Sequence, residues 1–491
     1  MPVIRISLFV LFILVLATAI RIYQIEKSVL FADEQRTLCV SNGYAAATDN
    51  NGIGREDLVV LDSLPQVFDH AHLRQQRGYT NVVDASIQLG GNSTLYYVLT
   101  SGWTRVWGNS KWSLRGVSLI FGVLLVVLGY YFARQLFNPT TATFAGILLA
   151  VQPWLVSYSK WGEAYMLVAF FSLMTTYSIY QIAVAKKHLW LHIPLYVIAL
   201  FLGAMSHYII VYVLVAHILL VAFFHVHRKA LYEYAVMLVV AGIGLGLWFL
   251  NGGMEGQQIM RQMGWGILHG QDAVSTDPFS LVDFFGISRT IFGMPLFHEL
   301  GLLFARVLAA AVFLVLTFFV FRNAARSPYF RAIMFLILPI AAYLILVSIS
   351  FSFLRSYTDA ALATATIVMP LGTIYMAFGL ERLYITSNGG KAAAIGLGIL
   401  CFLHGISNSY LLHTERRDYQ GKALYDLEAN TAFLKNYAMP GDTIAFPNAT
   451  NAVIVNLVMD ETNNNVQAIE PTMSEEVLFE IKNGTKVFQY K

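Results

Sequence analysis

Long apolar runs separated by short polar segments make up most of this chain, and their length indicates what they form. A hydrocarbon core of about 30 Å requires roughly 20 apolar residues of helix, and about eleven segments meet that requirement. The approximate centres of these segments are Phe12, Leu124, Ile147, Ser172, Ile198, Val215, Val240, Phe313, Ile337, Val368 and Leu400. The pattern therefore predicts an α-helical polytopic membrane protein with about eleven transmembrane helices.

Three polar regions are much longer than the other loops, namely the first loop, the loop from Asn251 to Leu300 and the stretch from His413 to Lys491. We predict a transmembrane domain over residues 1–412, in which residues 26–110 form the first extracytoplasmic loop. Residues 413–491 predict a small extracytoplasmic α/β domain. Its expected elements are an amphipathic helix over Asp418–Ala438 and two apolar stretches, Thr443–Phe446 and Ala452–Val458. Periodicity does not decide whether these two stretches are strands or short buried helices.

The end of the first loop is amphipathic. From Leu95 to Trp107, large apolar and aromatic residues recur on one helical side, in a stretch too polar and too short to span a membrane. We predict an interfacial helix whose aromatic side chains lie at the level of the lipid headgroups, namely Tyr96, Tyr97, Trp103 and Trp107. The alternative is a helix that packs inside an outer subdomain.

Composition and charge set the class of protein and its orientation. Of 491 residues, 57% are hydrophobic and 12% charged, whereas soluble domains carry about 25% charged residues. Lys and Arg fall in alternate short loops, as the positive-inside rule expects. The predicted cytoplasmic cations are Arg5, Arg134, Lys186, Lys187, Arg228, Lys229, Arg322, Arg326, Arg331, Arg382 and Lys391. With an odd number of spans, the first loop and the C-terminal region then share the extracytoplasmic face.

Two adjacent carboxylates, Asp33 and Glu34, follow the first predicted span by only a few residues. They lie where the chain leaves the bilayer, so two interpretations are open. One is an acidic turn that is simply solvated, and the other is a pair that performs chemistry at the membrane surface.

A series of motifs follows the first span. After the Asp-Glu pair come Gly91-Asn-Ser-Thr-Leu-Tyr-Tyr97, Trp103, Gly108-Asn-Ser110, Leu114-Arg-Gly-Val-Ser118 and a turn running from Gln152 to Met166. In this order they resemble the membrane glycosyltransferases of the GT-C fold, in the branch of protein O-mannosyltransferases and the lipid A aminoarabinose transferase. The resemblance covers about the first 185 residues. This chain departs from that branch at Asn92-Ser93-Thr94, which lacks the usual proline, and at Glu163, where family members commonly carry an arginine.

The resemblance implies a sugar donor carried on a polyprenyl phosphate and an extracytoplasmic acceptor, which is protein, lipid A or another glycan. It implies a single displacement with inversion at the anomeric carbon, for which Asp33 is the expected general base. Glu34 is expected to orient the acceptor or to tune Asp33. Lys160 and Arg355, isolated cations at predicted outer ends of spans, are the expected ligands of the donor phosphate, or else simply snorkel to the interface.

Further candidates for substrate binding are Glu163, Tyr165, Asn92, Tyr96, Tyr97 and His207. His70 and His72 in Asp69-His-Ala-His72 are more typical of a solvated loop than of a metal site, so we predict no metal ligands. No cofactor is required by the sequence, although a divalent metal ion is compatible with it. The bilayer is an expected partner and nucleic acid is not.

Two other functions compete with glycosyl transfer. A transporter or flippase of lipid-linked sugars is one, although the charges gather at one surface and not at mid-depth. A non-catalytic GT-C relative is the other, because the arginine of the turn is replaced. The expected location is a bacterial inner membrane, with the active site on the extracytoplasmic face.

Overall fold

A computed structural model describes a large part of the chain. The described residues are 8–23, 25, 32–43, 67–68, 78–223, 228–254, 291, 313–322, 329–354, 363–419, 443–446, 465–468, 479–482 and 485–489. Arg355, His70, His72 and the stretches 420–438 and 452–458 lie outside these ranges, so the predictions made for them are not tested.

Helices dominate the described residues. They are α1 Leu8–Ile22, α2 Ala32–Ser41, α3 Tyr79–Gln88, α4 Thr94–Trp107, α5 Lys111–Leu136, α6 Pro139–Val151, α7 Pro153–Ser159, α8 Tyr165–Tyr180, α9 Leu189–Ser206, α10 Val211–Phe223, α11 Arg228–Trp248, α12 Phe330–Leu354, α13 Met369–Tyr384 and α14 Asn388–Tyr419. Short π-helices follow α8 at Gln181–Ala185 and α11 at Phe249–Gly253. Turns of 3-10 helix lie at Tyr208–Ile210 and Ala365–Ile367, and residues 313–321 are also helical.

The predicted spans correspond closely to these helices. Ten of the eleven predicted centres fall inside a helix, and Val368 lies at the turn that precedes α13. Within the described ranges, six helices are long and apolar enough to cross a membrane, or seven if α6 and α7 count as one bent span. The helical, polytopic membrane architecture is therefore confirmed, whereas the total of about eleven spans stays a prediction.

One compact unit comprises Met1–Tyr23, Ser118–Leu247 and Val274–His413. In it α8 packs on α9, α6 packs on α13, and α10 packs on α12. The bent pair α6 and α7 has a sequence cause. Pro153 has no N–H and disfavours a helical conformation at the preceding residue, so α6 ends at Val151. The Gln152 side chain then caps α7 by accepting a hydrogen bond from the Leu155 N–H at 2.6 Å, and the two axes differ by 53°.

The second compact unit comprises Gln24–Val117, Trp248–Ala273 and Thr414–Lys491. It contains α2, α3 and α4 and a five-stranded sheet of β1 Val67–Phe68, β2 Thr443–Phe446, β3 Asn465–Ala468, β4 Phe479–Lys482 and β5 Thr485–Gln489. The spatial order is β1-β3-β2-β5-β4, with β2 parallel to both β3 and β5 and antiparallel pairs at the two edges. The stretch Thr443–Phe446 is thus a strand, and β1 from the first loop belongs to the same sheet as the C-terminal strands.

Candidate active site

A buried ion pair anchors the acidic motif. Asp33 and Glu34 lie in the first turn of α2, and Glu34 accepts two hydrogen bonds from Arg115, which lies near the start of α5. Arg115 Nε lies 2.6 Å from Glu34 Oε1, and Arg115 Nη2 lies 2.7 Å from Glu34 Oε2. The third guanidinium nitrogen, Nη1, donates to the Ile25 carbonyl. Both side chains of the pair are 0% exposed.

This geometry fixes what Glu34 contributes. A bidentate guanidinium–carboxylate pair is strong and directional. Together with the bond to Ile25, it holds α2 and the chain before it against the N-terminal part of α5. Because both carboxylate oxygens are engaged inside the protein, Glu34 is enclosed and offers no exposed surface to a substrate. Asp33 occupies the preceding position of the same helix.

Sequence reasoning did not include Arg115 among the candidate site residues. The signal that could have identified it was present, because Arg115 is the arginine of Leu114-Arg-Gly-Val-Ser118 in the resemblance. The sequence pattern did not show that Glu34 is the partner of Arg115. Glu34 and Arg115 are 81 residues apart, and only the folded chain joins them.

Tyr96 of α4 contacts the segment that carries Arg115. Tyr96 is fully buried, and its hydroxyl donates to the Leu114 carbonyl at 3.3 Å, next to Arg115. Tyr97 is also buried, and Asn92 lies in the turn before α4. The expectation that Tyr96 and Tyr97 lie at the lipid headgroups is therefore wrong. The reason is that α4 packs against α2 and α3, while its far end remains exposed at Trp107.

A second cluster lies in the other compact unit, in the turn after α7. Lys160 follows α7 directly and is 3% exposed, and its ammonium donates to the Tyr23 carbonyl at 2.9 Å. Close to it in the sequence, Ser159 Oγ accepts a hydrogen bond from Arg21 Nε at 3.0 Å. Two hydrogen bonds thus join the end of α1 to the end of α7. The Arg21 side chain extends from α1 to Ser159, and the Lys160 side chain extends back to Tyr23.

The remaining predicted residues of this unit lie in and beside the same turn. The Glu163 carbonyl accepts a hydrogen bond from the Ser118 hydroxyl at 2.9 Å, which fixes the turn to α5. Tyr165 begins α8, and its ring centroid lies 5.4 Å from that of Tyr158 and 5.9 Å from that of His207. The structure therefore brings Tyr165 and His207 together.

His207 is a neutral side chain in this setting. Its Nδ1 accepts a hydrogen bond from the Ile209 N–H at 3.2 Å, which requires that nitrogen to be unprotonated. Desolvation by burial lowers the pKa of His207 to about 4. At neutral pH the remaining ring nitrogen, Nε2, consequently carries the proton and is a hydrogen-bond donor.

The described ranges do not bring a set of metal ligands together. No group of three or more His, Cys, Asp or Glu side chains that could hold a metal ion occurs in them.

Comparison with known proteins identifies the fold of the chain. Residues 93–249 match the family model described as dolichyl-phosphate-mannose-protein mannosyltransferase. The match includes Arg115, Lys160 and Glu163, and it begins after the acidic pair. No curated protein sequence matches this chain.

Solved structures extend the likeness over nearly the whole chain. The crystal structure of ArnT from Cupriavidus metallidurans bound to undecaprenyl phosphate has 13% sequence identity and a TM-score of 0.56, and it covers 91% of this chain and 84% of that chain. Its apo form has 13% identity, the same coverage and a TM-score of 0.57. AglB from Archaeoglobus fulgidus, an archaeal oligosaccharyltransferase, has 14% identity and a TM-score of 0.45, and it covers 92% of this chain and 64% of that chain. The GT-C fold expected from the sequence is confirmed.

Proposed function

We propose that this chain is an integral membrane glycosyltransferase that moves a sugar from a polyprenyl-phosphate donor to an acceptor on the extracytoplasmic face. The acceptor is protein, lipid A or another glycan. Asp33 takes the proton of the acceptor hydroxyl, and the acceptor oxygen attacks the anomeric carbon. The bond from that carbon to the phosphate oxygen breaks, and the phosphate leaves with the electron pair, so the anomeric configuration inverts.

The observation that carries this proposal is the buried pair of Glu34 and Arg115. Either of the two adjacent carboxylates is a possible base. Both oxygens of one of them, Glu34, accept hydrogen bonds from Arg115. Glu34 then serves as a positioning residue that holds α2 in place, and the role of base falls to Asp33. Both side chains of this ion pair are 0% exposed, and burying two charges costs desolvation free energy. We attribute the retention of this costly pair to the positioning of its neighbour, Asp33.

Lys160 is proposed to bind the donor phosphate together with Arg355. Stabilising the negative charge that develops on the leaving phosphate is the main electrostatic requirement of this reaction. Lys160 is held by the Tyr23 carbonyl at the end of α1, so its ammonium is positioned before any donor arrives. Undecaprenyl phosphate is bound in the ArnT structure of the same fold, which supports a lipid phosphate as the ligand.

The sugar itself is proposed to contact Glu163, Tyr165 and His207. A neutral His207 donates through Nε2 to a sugar hydroxyl, and the Tyr165 ring beside it offers an apolar face. Asn92 is proposed to contact substrate from the turn before α4. Tyr96 and Tyr97 contribute indirectly, because they are buried behind the Leu114-Arg115 segment.

The test is sugar transfer in membranes from a panel of radiolabelled polyprenyl-phosphate sugars. We expect turnover with one donor and a loss of kcat of at least about a hundredfold in Asp33→Asn, since this change keeps the shape and removes the base. Asp84→Asn is the matched control, because Asp84 is an exposed carboxylate on α3 in the same compact unit. Its rate should stay within about twofold of wild type, a change typical of an exposed site.

Two results would contradict the proposal. If Asp33→Asn retains full activity, Asp33 is not the base. If the wild-type chain transfers no sugar but still binds polyprenyl phosphate, it is a non-catalytic relative or a lipid transporter.

A further inference from the structure

Arg21 is a fully buried arginine near the end of α1. Its guanidinium donates to Ser159 Oγ at 3.0 Å and to the carbonyls of Ala17 at 3.2 Å, Ala150 at 2.9 Å and Leu149 at 3.5 Å. It forms no ion pair with a carboxylate in the described part of the chain. A buried cation without an anionic partner is costly, so something else must stabilise it.

The break between α6 and α7 supplies that stabilisation. In a continuous helix the Leu149 carbonyl would accept from the N–H of residue 153, but Pro153 has none. The Leu149 and Ala150 carbonyls lie in the last turn of α6, where the helix dipole is negative and favours a cation. Arg21 is the cation that meets them.

A glycine makes room for this contact. A Cβ atom on Gly122 of α5 would lie 2.2 Å from Ser159 Oγ and 3.1 Å from Arg21 Nε. Residue 122 must therefore lack a side chain for α5 to pack against the Arg21–Ser159 hydrogen bond. We name Arg21, Gly122, Leu149, Ala150 and Ser159 the Arg21 clamp.

The clamp lies next to Lys160 in the chain. Ser159, which Arg21 holds, is covalently joined to Lys160, and Lys160 in turn donates back to Tyr23, two residues after Arg21. The Ser159 side chain is thus bound to α1, and the Lys160 ammonium is bound to the residue that follows α1.

From these contacts we infer that Arg21 is a positioning residue for the donor phosphate, acting through Ser159 and Lys160. This inference rests on the proposed function, which assigns the phosphate to Lys160. Arg21 does not touch the donor, because it is 0% exposed. Its effect is to place the ammonium where the leaving phosphate of a polyprenyl-phosphate sugar lies, and small displacements of such groups reduce binding and rate strongly.

The experiment compares two arginines that hold the two ends of α6. Arg21 binds its last turn, whereas Arg382 binds Glu381, which accepts from the Asn138 side chain that caps the first turn. We expect Arg21→Gln to raise the donor KM about tenfold with a smaller change in kcat. Arg382→Gln is the matched control, and it should lower the Tm without raising the donor KM.

A double-mutant cycle with Lys160→Gln separates positioning from general destabilisation. If Arg21 acts through Lys160, then Arg21→Gln in the Lys160→Gln background should change the donor KM by less than about twofold, while its effect on Tm persists. Ser159→Ala is the milder variant if Arg21→Gln does not fold, and it should raise the donor KM about threefold in the wild-type background only.

Three results would overturn the inference. They are an unchanged donor KM in Arg21→Gln and Ser159→Ala, an equal rise in Arg382→Gln, and a rise in Arg21→Gln that survives in the Lys160→Gln background. A wild-type chain that transfers sugar from no polyprenyl-phosphate donor overturns the proposed function itself, and this inference with it.

Discussion

Removing the arginine of the buried ion pair should detach α2, the helix that carries both acidic residues. In Arg115→Gln the Glu34 carboxylate remains buried without its cation, and Ile25 loses a hydrogen-bond donor. Removing one partner of a buried ion pair costs about 3–5 kcal/mol. Because about 1.4 kcal/mol corresponds to a factor of ten, a cost of about 4 kcal/mol would raise the population with α2 detached roughly a thousandfold.

The chain contains its own probe for this event. Cys39 lies in α2 and is 0% exposed, and burial raises the pKa of its thiol to about 12. The thiol is therefore protonated and enclosed at pH 8, so it reacts with a maleimide only when α2 opens. In a Cys401→Ser background, which removes the only other cysteine, we expect Arg115→Gln to accelerate labelling at least about a hundredfold, allowing for local relaxation.

Two further variants test whether the ion pair holds α2 in place. Glu34→Leu combined with Arg115→Met removes both charges at similar volume and should restore protection to within about tenfold of wild type. Arg382→Gln, in the other compact unit, should not change the labelling rate. If Arg115→Gln is labelled at the wild-type rate, or if the double variant is labelled as fast as Arg115→Gln, the pair does not hold α2 in place.

Three smaller predictions follow from other contacts. Gly122→Ala should lose about 1–3 kcal/mol of stability by overpacking against Ser159, whereas Gly242→Ala, with nothing within 4 Å of its new Cβ, should show no loss of Tm. Tyr96→Phe removes the hydroxyl that donates to the Leu114 carbonyl and should cost about 1 kcal/mol in a denaturation experiment, far less than Arg115→Gln. The pKa of His207 is about 4 in the folded chain against 6.5 unperturbed, so its neutral form stabilises the fold above pH 6.5 and that stabilisation is lost as pH falls toward 4. The Tm of wild type should accordingly drop more over that range than the Tm of His207→Gln, and equal drops would contradict a desolvated, neutral imidazole.

The sequence determined those features that depend on neighbouring residues. Runs of apolar residues must be helical to satisfy their backbone in lipid, so the predicted centres fall in helices almost everywhere. The exception is Val368, which lies in the turn just before α13. Pro370 is most compatible with the first turn of a helix, so α13 starts at Met369 and lies further along the chain than hydropathy indicated.

Local sequence also indicated the acidic motif and the helical character of α4. The sequence did not indicate whether the apolar face of α4 is buried against lipid or against protein. The same amphipathic pattern serves a helix that buries its apolar side against lipid and one that buries it against protein. In α4, Tyr96 and Tyr97 are buried against protein.

Only the tertiary structure decided which distant groups meet. Glu34 pairs with Arg115 across 81 residues, Arg21 reaches Ser159 across 138, and β1 of the first loop adds to a sheet made by the C-terminal strands. Charge and propensity are properties of single residues and short windows, whereas these pairings depend on how the helices pack. For that reason the sequence indicated a membrane glycosyltransferase fold and a pair of candidate carboxylates, whereas only the folded chain showed that Arg115 pairs with Glu34 and that Arg21 binds Ser159.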